Sequence, residues 1–123
     1  MITYARSSCQ IGSMHIEALK GSIPPLITPF RNDEIDVDRF AALVEHHIAE
    51  GSHGILVNGT TAEPSTLTTT ERNRLVSTAI EVSAGRIPVV AATGSQSLAE
   101  TRELTDFAAA AGADALLIVT PYY

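Results

Sequence analysis

Short apolar runs alternate along the chain with longer stretches whose apolar residues recur every three or four positions. The run from Ile23 to Thr28 contains Pro24 and Pro25, each of which removes a ladder donor, so a first strand is expected to begin near Leu26. Asp36 can cap a helix from Val37 to about Glu50. Val37, Phe40, Ala41, Val44, His47 and Ile48 fall on one face of it, and Gly51 is its stop. Gly54 to Val57 reads as a compact buried strand. Thr68-Thr69-Thr70-Glu71 has the capping-box pattern and opens a second helix, with Leu75, Val76, Ala79 and Ile80 inward and Gly85 at its end. Ile87 to Ala92 is a β-rich run with Pro88 at its start, where a missing donor matters least. Ser97-Leu98-Ala99-Glu100 is a second capping box. Its helix runs to Ala111, with Leu104, Phe107, Ala108 and Ala111 inward and Gly112 as its stop. Ala113 to about Thr120 reads as the last strand.

The order is βαβαβαβ with a period of about 30 residues, the repeat of a βαβ unit. Strands apolar on both faces and separated by helices imply a parallel sheet covered by helices. Two α/β architectures fit. One is the first half of a (β/α)8 TIM barrel, whose full length is about 250 residues against the 123 here. The other is a small doubly wound sheet. No G-x-G-x-x-G follows the first strand and no G-x-x-x-x-G-K-[ST] occurs, so the doubly wound reading lacks its usual phosphate cradle. A half barrel is expected to leave the edges of its first and fourth strands unpaired.

Composition narrows the partners. Apolar residues make up 45% and charged residues 18%, a globular balance. A net charge of -6 and a pI near 5.0 disfavour nucleic-acid phosphates and anionic membranes as partners. The single cysteine, Cys9, cannot form an internal disulfide, which fits a reducing, cytoplasmic setting. No apolar run approaches the roughly 20 residues of a membrane-spanning helix. Residues 1–20 lack the apolar stretch of a signal peptide and are expected to be a disordered extension to the half barrel of residues 21–123.

In α/β proteins chemistry gathers at the C-terminal ends of the strands. After the second strand stand Gly59, Thr60 and Thr61. They read either as an anion-binding nest flanked by two hydroxyls, suited to a small carboxylate, or as an ordinary loop whose threonines bond the backbone. Thr93-Gly94-Ser95 follows the third strand and permits the same two readings. Tyr122 and Tyr123 follow the fourth, and a phenol there needs a relay partner to move a proton. Glu63 is either a base or an acceptor of loop N–H groups. His15, His46, His47 and His53 have no metal-ligand spacing and read as structural or surface residues; no metal and no cofactor is expected. The only lysine, Lys20, precedes the first strand.

Gly21-Ser22-Ile23, Thr28-Pro29-Phe30, Gly59-Thr60-Thr61-Ala62-Glu63, Gly85-Arg86-Ile87-Pro88-Val89, Thr93-Gly94 and Val119-Thr120-Pro121-Tyr122-Tyr123 occur in order. Together they resemble the dihydrodipicolinate synthase and N-acetylneuraminate lyase family of Schiff-base aldolases. The resemblance implies a TIM barrel, of which this chain holds four strands and three helices. It implies a lyase in which a lysine on a later strand attacks the keto carbon of pyruvate before condensation with a small aldehyde. It implies that Thr60 belongs to a proton relay, that Gly59, Thr60 and Thr61 bind the pyruvate carboxylate, and that Tyr123 reaches a neighbouring subunit's site in a homodimer or homotetramer. The family's Gly-Thr-Thr-Gly-Glu-Ser reads Gly-Thr-Thr-Ala-Glu-Pro here, with Ala62 restricting φ and Pro64 removing an N–H and a hydroxyl. At the positions matching the effector site of lysine-inhibited members stand Thr69, Arg72 and Gln96, with Glu100 and Tyr122 retained.

Overall fold

The computed structural model describes residues 2–5 and 16–122. Its parallel core consists of β4 (Ile55–Val57), β5 (Val89–Ala92) and β6 (Ala115–Ile118), after short strands β1 (Ile2–Ala5), β2 (Phe30–Arg31) and β3 (Glu34–Ile35). Helices α1 (Val37–Ala49), α2 (Thr69–Ser83) and α3 (Leu98–Ala111) make the crossovers. β4 pairs in parallel with β5, and β5 with β6. This is the alternating parallel sheet of a partial barrel.

The expected first strand is reduced to a single parallel bridge, Pro25 to Leu56. The two prolines explain why. The bridge holds only through Leu26 N–H to Leu56 O at 2.9 Å and Leu56 N–H to Pro24 O at 3.0 Å, because neither proline can donate. Beyond it lies a hairpin the hydrophobic pattern did not announce, β2 with β3. Its two-residue turn is Asn32-Asp33, both at positive φ (51° and 64°), as a tight hairpin turn requires. The unpaired-edge expectation holds on one side only, for β1 runs antiparallel along β6, from Ile2 opposite Ile118 to Ala5 opposite Ala115. Residue 1 and residues 6–15 lie outside the described residues.

The helices begin and end where capping chemistry dictates. Asp36 accepts the Arg39 N–H at 3.0 Å and binds the Arg31 guanidinium at 2.9 Å, which ties the hairpin to the start of α1. The Thr68–Glu71 box at α2 is complete in both directions. The Ser97–Glu100 box is half made: Ser97 accepts the Glu100 N–H, but the Glu100 carboxylate accepts from the Ser95 hydroxyl instead of returning to the cap. α2 stops one residue earlier than its glycine, with Ala84 already left-handed at φ 47° and Gly85 following at 75°.

One core lies between the helices and one face of the sheet. Ile55, Val57, Val89, Ala91 and Leu116 pack there with Phe40, Val44, Leu75, Val76, Ala79 and Ala108. The inward helix positions read from periodicity are buried or half-buried in α1, α2 and α3. Arg72 and Ser83, also buried in α2, are polar additions to that stripe. Alternate strand residues Leu56, Val90 and Leu117 point to the other face and are only half-buried, as befits the side that turns toward a barrel interior. Among the described residues no helix is long and apolar enough to cross a membrane.

Candidate active site

β4 delivers the chain into a tightly built exit. Asn58 is buried and left-handed at φ 59°, and its Nδ2 donates to the Arg72 carbonyl at 2.9 Å. Gly59 is extended, and Thr60–Ala62 then make one 3-10 turn. Within that turn Ala62 N–H reaches Gly59 O at 2.9 Å and Glu63 N–H reaches Thr60 O at 3.1 Å. The first N–H groups of the turn, those of Thr60 and Thr61, find no partner inside it, as at any helical N-terminus. The side chains of Thr60 and Thr61 are both exposed. Thr28, from the expected first-strand segment, is buried and donates its hydroxyl to Ala62 O at 2.9 Å, which fastens the turn from beneath.

Ala62 and Pro64 fit this geometry without strain. Ala62 is absent from the left-handed region, and its methyl is buried. The left-handed position falls instead on Glu63, at φ 55°. Pro64 begins a second 3-10 turn, Pro64–Thr66, where its missing N–H has no intrahelical role. The Glu63 carbonyl accepts from both the N–H and the hydroxyl of Thr66 (2.9 and 2.8 Å), while its side chain stays exposed.

Around the exits of β4, β5 and β6 lies a cleft of about 540 Å³. Gly59, Thr60, Glu63, Gly94 and Tyr122 line it, with Leu117 and Val119 as apolar floor. Thr61 is beside this lining, one residue further along the turn. Tyr123 lies outside the described residues. Thr93, in the second candidate loop, does not present its hydroxyl to the cleft. It is buried and shares a 2.8 Å hydrogen bond with Thr105 of α3. Ser95 is likewise engaged, with Thr101 at its N–H and Glu100 at its hydroxyl. Gly94 lies so close to Val119 that a methyl there would sit 2.8 Å from the Val119 nitrogen.

The histidines sit away from the cleft. His47 pairs with Ser52 at 3.1 Å, and His53 accepts the Ser22 N–H at 3.0 Å. His46 and His47 meet edge to face; His15 lies outside the described residues. Lys20 is exposed and adjoins Gly21, which packs on His53 at the opposite end of β4 from Thr60.

The model of the dihydrodipicolinate synthetase family matches residues 18–123, nearly the whole chain. The chain belongs to that family. Among curated family members, the 4-hydroxy-tetrahydrodipicolinate synthase of Hyphomonas neptunium is 55% identical over 103 residues, which are 84% of this chain and 35% of the relative. Of solved family structures, dihydrodipicolinate synthase from Aquifex aeolicus superimposes with a TM-score of 0.83 at 44% identity, covering 85% of this chain and 36% of that one. The chloride-inhibited dihydrodipicolinate synthase from Acinetobacter baumannii, complexed with pyruvate, gives 0.81 at 42% identity with the same coverage. The chain thus spans little more than a third of the length of the family members it matches. The half-barrel reading is the one these family structures support, and the small doubly wound sheet is set aside.

Two features of the site escape pattern reading. Thr28 acts through a contact 34 positions away, and Arg72 interrupts an apolar stripe with a charge. A polar residue at an inward helical position was the available signal for Arg72.

Proposed function

We propose that this chain supplies the first half of a pyruvate-dependent Schiff-base lyase, 4-hydroxy-tetrahydrodipicolinate synthase, which condenses pyruvate with aspartate semialdehyde. The observation that carries the reading is the Gly59-Thr60-Thr61 turn. It offers N–H groups that the turn itself does not pair, and exposed hydroxyls, beside a cleft at the strand C-terminal ends, within a segment matched by the family. The N–H groups and the Thr61 hydroxyl suit a carboxylate. Thr60, at the cleft wall, is the proton-relay hydroxyl, with Tyr123 as the phenol that crosses to a partner subunit in a homodimer or homotetramer. The reaction belongs to the cytoplasm and needs no metal or cofactor, because an iminium stabilises the carbanion.

The amine that forms that iminium is not in this chain. Lys20 stands at the far end of β4, and no other lysine occurs. The 123-residue chain by itself is therefore inactive. Borohydride reduction in the presence of pyruvate tests both parts. The chain alone should gain no mass. The polypeptide completed to family length should gain one reduced pyruvate per chain and, in a separate assay without borohydride, consume aspartate semialdehyde. A stoichiometric adduct on the isolated chain overturns the first part, and no adduct on the completed protein overturns the second.

A further inference from the structure

Arg72 has no part in the mechanism above, and an apolar residue would suit its place on α2 better. It is 3% exposed. Burial draws the pKa of its guanidinium down, opposed by the charge of Glu100. Among the described residues its Nε has no hydrogen-bond partner, and neither has the Oδ1 of neighbouring Asn58. A buried cation with incomplete bonding is worse for stability than a packed hydrocarbon of the same size. Packing alone therefore does not account for it.

Its bonds do account for it. The Arg72 Nη2 donates to two carbonyls of the β5 exit, Ala92 O at 3.1 Å and Gly94 O at 3.2 Å. Its own carbonyl holds the Asn58 side chain, and Asn58 is the left-handed residue that turns the chain into Gly59 and Thr60. Glu100, whose charge opposes that shift, is itself held by Ser95 in the β5 exit loop. Tyr122 follows β6 and lines the cleft. One residue on a rigid helix thus joins the exits of β4 and β5, and Gly94, whose carbonyl it holds, packs on Val119 of the segment that leads from β6 to Tyr122.

We propose that Arg72 is a positioning residue of the lyase site, fixing the β5 exit, and through the Gly94–Val119 contact the segment that follows β6, relative to the Thr60 turn. The inference rests on the function proposed above. It predicts a particular kinetic signature. Side-chain loss should disturb the alignment of relay groups donated by different strands, while the carboxylate-binding turn, held by Asn58 through the Arg72 main chain, stays in place.

The test uses the complete polypeptide, or residues 1–123 joined to the C-terminal remainder of the Hyphomonas relative. Arg72→Leu should lower kcat by about 10- to 100-fold, the cost of a small misplacement. KM for pyruvate should stay within about twofold and borohydride trapping should remain stoichiometric. Guanidinium added to Arg72→Ala should restore part of kcat. A folded Arg72→Leu protein with wild-type kcat overturns the proposal, as does a rise in pyruvate KM that accounts for the whole loss. If the leucine variant does not fold, Arg72→Gln decides by the same split, since it keeps one amide donor without the charge. If the wild-type protein itself traps no pyruvate, the lyase reading fails and the inference falls with it. Normal trapping with an indifferent Arg72 sinks the inference alone.

Discussion

The two ends of the parallel strands are built by opposite rules. At the N-terminal ends polar groups close on each other in reciprocal pairs. Ser22 N–H binds His53 Nδ1 while His53 N–H binds Ser22 O, and Val89 N–H binds the Asp114 carboxylate while Asp114 N–H binds Val89 O. Positive φ there falls on Gly21, Gly51, Gly85 and Gly112, where it costs little, with Ala84 the exception. At the C-terminal ends positive φ falls on Asn32, Asp33, Asn58 and Glu63, two of the three buried polar atoms without a partner among the described residues lie there (the third, Ser83 Oγ, is at the other end), and two threonine side chains face solvent. One end spends its polar groups on holding the fold. The other leaves them available, and the helices and the lower end must hold it in place.

The sharpest way to break this contrast is to show that the exposed upper-end threonines are needed for stability and not for activity. Thr60→Val in the completed polypeptide keeps the shape and deletes the hydroxyl. Its kcat should fall by about 10²- to 10⁴-fold, the range for a lost proton-transfer group, with little change in thermal midpoint. Steady-state kinetics beside a melt decides; near-normal kcat in a folded variant leaves the turn with a structural role. Gly94→Ala tests the one upper position where backbone meets backbone. The added methyl would lie 2.7 to 3.0 Å from Val119 atoms, so a loss of about 1–3 kcal/mol is expected in denaturant unfolding.

At the lower end the expectation reverses. Gly21→Ala puts a side chain at φ +80° and a methyl 2.5 Å from the His53 ring. Because a ring can swing aside, the cost should be nearer the left-handed penalty alone, about 1–2 kcal/mol, with kcat unchanged in the folded protein. A kcat defect at full stability would undo the contrast. Asp36 gives a pH test. The Arg39 N–H, together with Arg31, holds its carboxyl below the ordinary value of 3.8. Its contribution is therefore complete above that value and is lost as the pH falls through the lower, folded one. The stability gap between wild type and Asp36→Ala should be constant at neutral pH and close below about pH 4. A gap that persists in strong acid removes the charge from the explanation. Smallest of all is Glu45→Gln. The Arg86–Glu45 pair is short at 2.6 Å but lies in solvent, and Arg86 keeps its bonds to the Val82 and Ser83 carbonyls. No measurable change in melting midpoint is expected.

The sequence exposed what depends on local periodicity and hid what depends on distant partners. The helix faces, the Asp36 and Thr68 caps and the parallel strand order follow from spacing, because a helix or a doubly covered strand imposes its period on the residues. The Asn32-Asp33 hairpin turn carried a local signal, two residues tolerant of positive φ, that the apolar pattern overshadowed. The redirection of Glu100 from its cap to Ser95 could not be read, since S-x-x-E is the same string in both arrangements. The Gly59-Thr60-Thr61 turn was legible as candidate chemistry, and Gly59 and Thr60 line the cleft. The roles of Thr28 and Arg72 depend on contacts 34 and 20 to 22 positions away, and no local pattern encodes those.

The pairing of β1 with β6 has a kinetic consequence. An edge can carry one neighbour, and Ile2–Ala5 runs antiparallel along an edge that a closed parallel barrel gives to its next strand. In a chain of family length the two segments compete for the same row of backbone groups. While β1 holds that row it shields the half-built sheet from strand addition by other molecules. Closure of the barrel then requires its departure. In such a longer chain Ile2–Ala5 would be a temporary occupant of that edge, and the strength of its hold would set how late the next strand could pair.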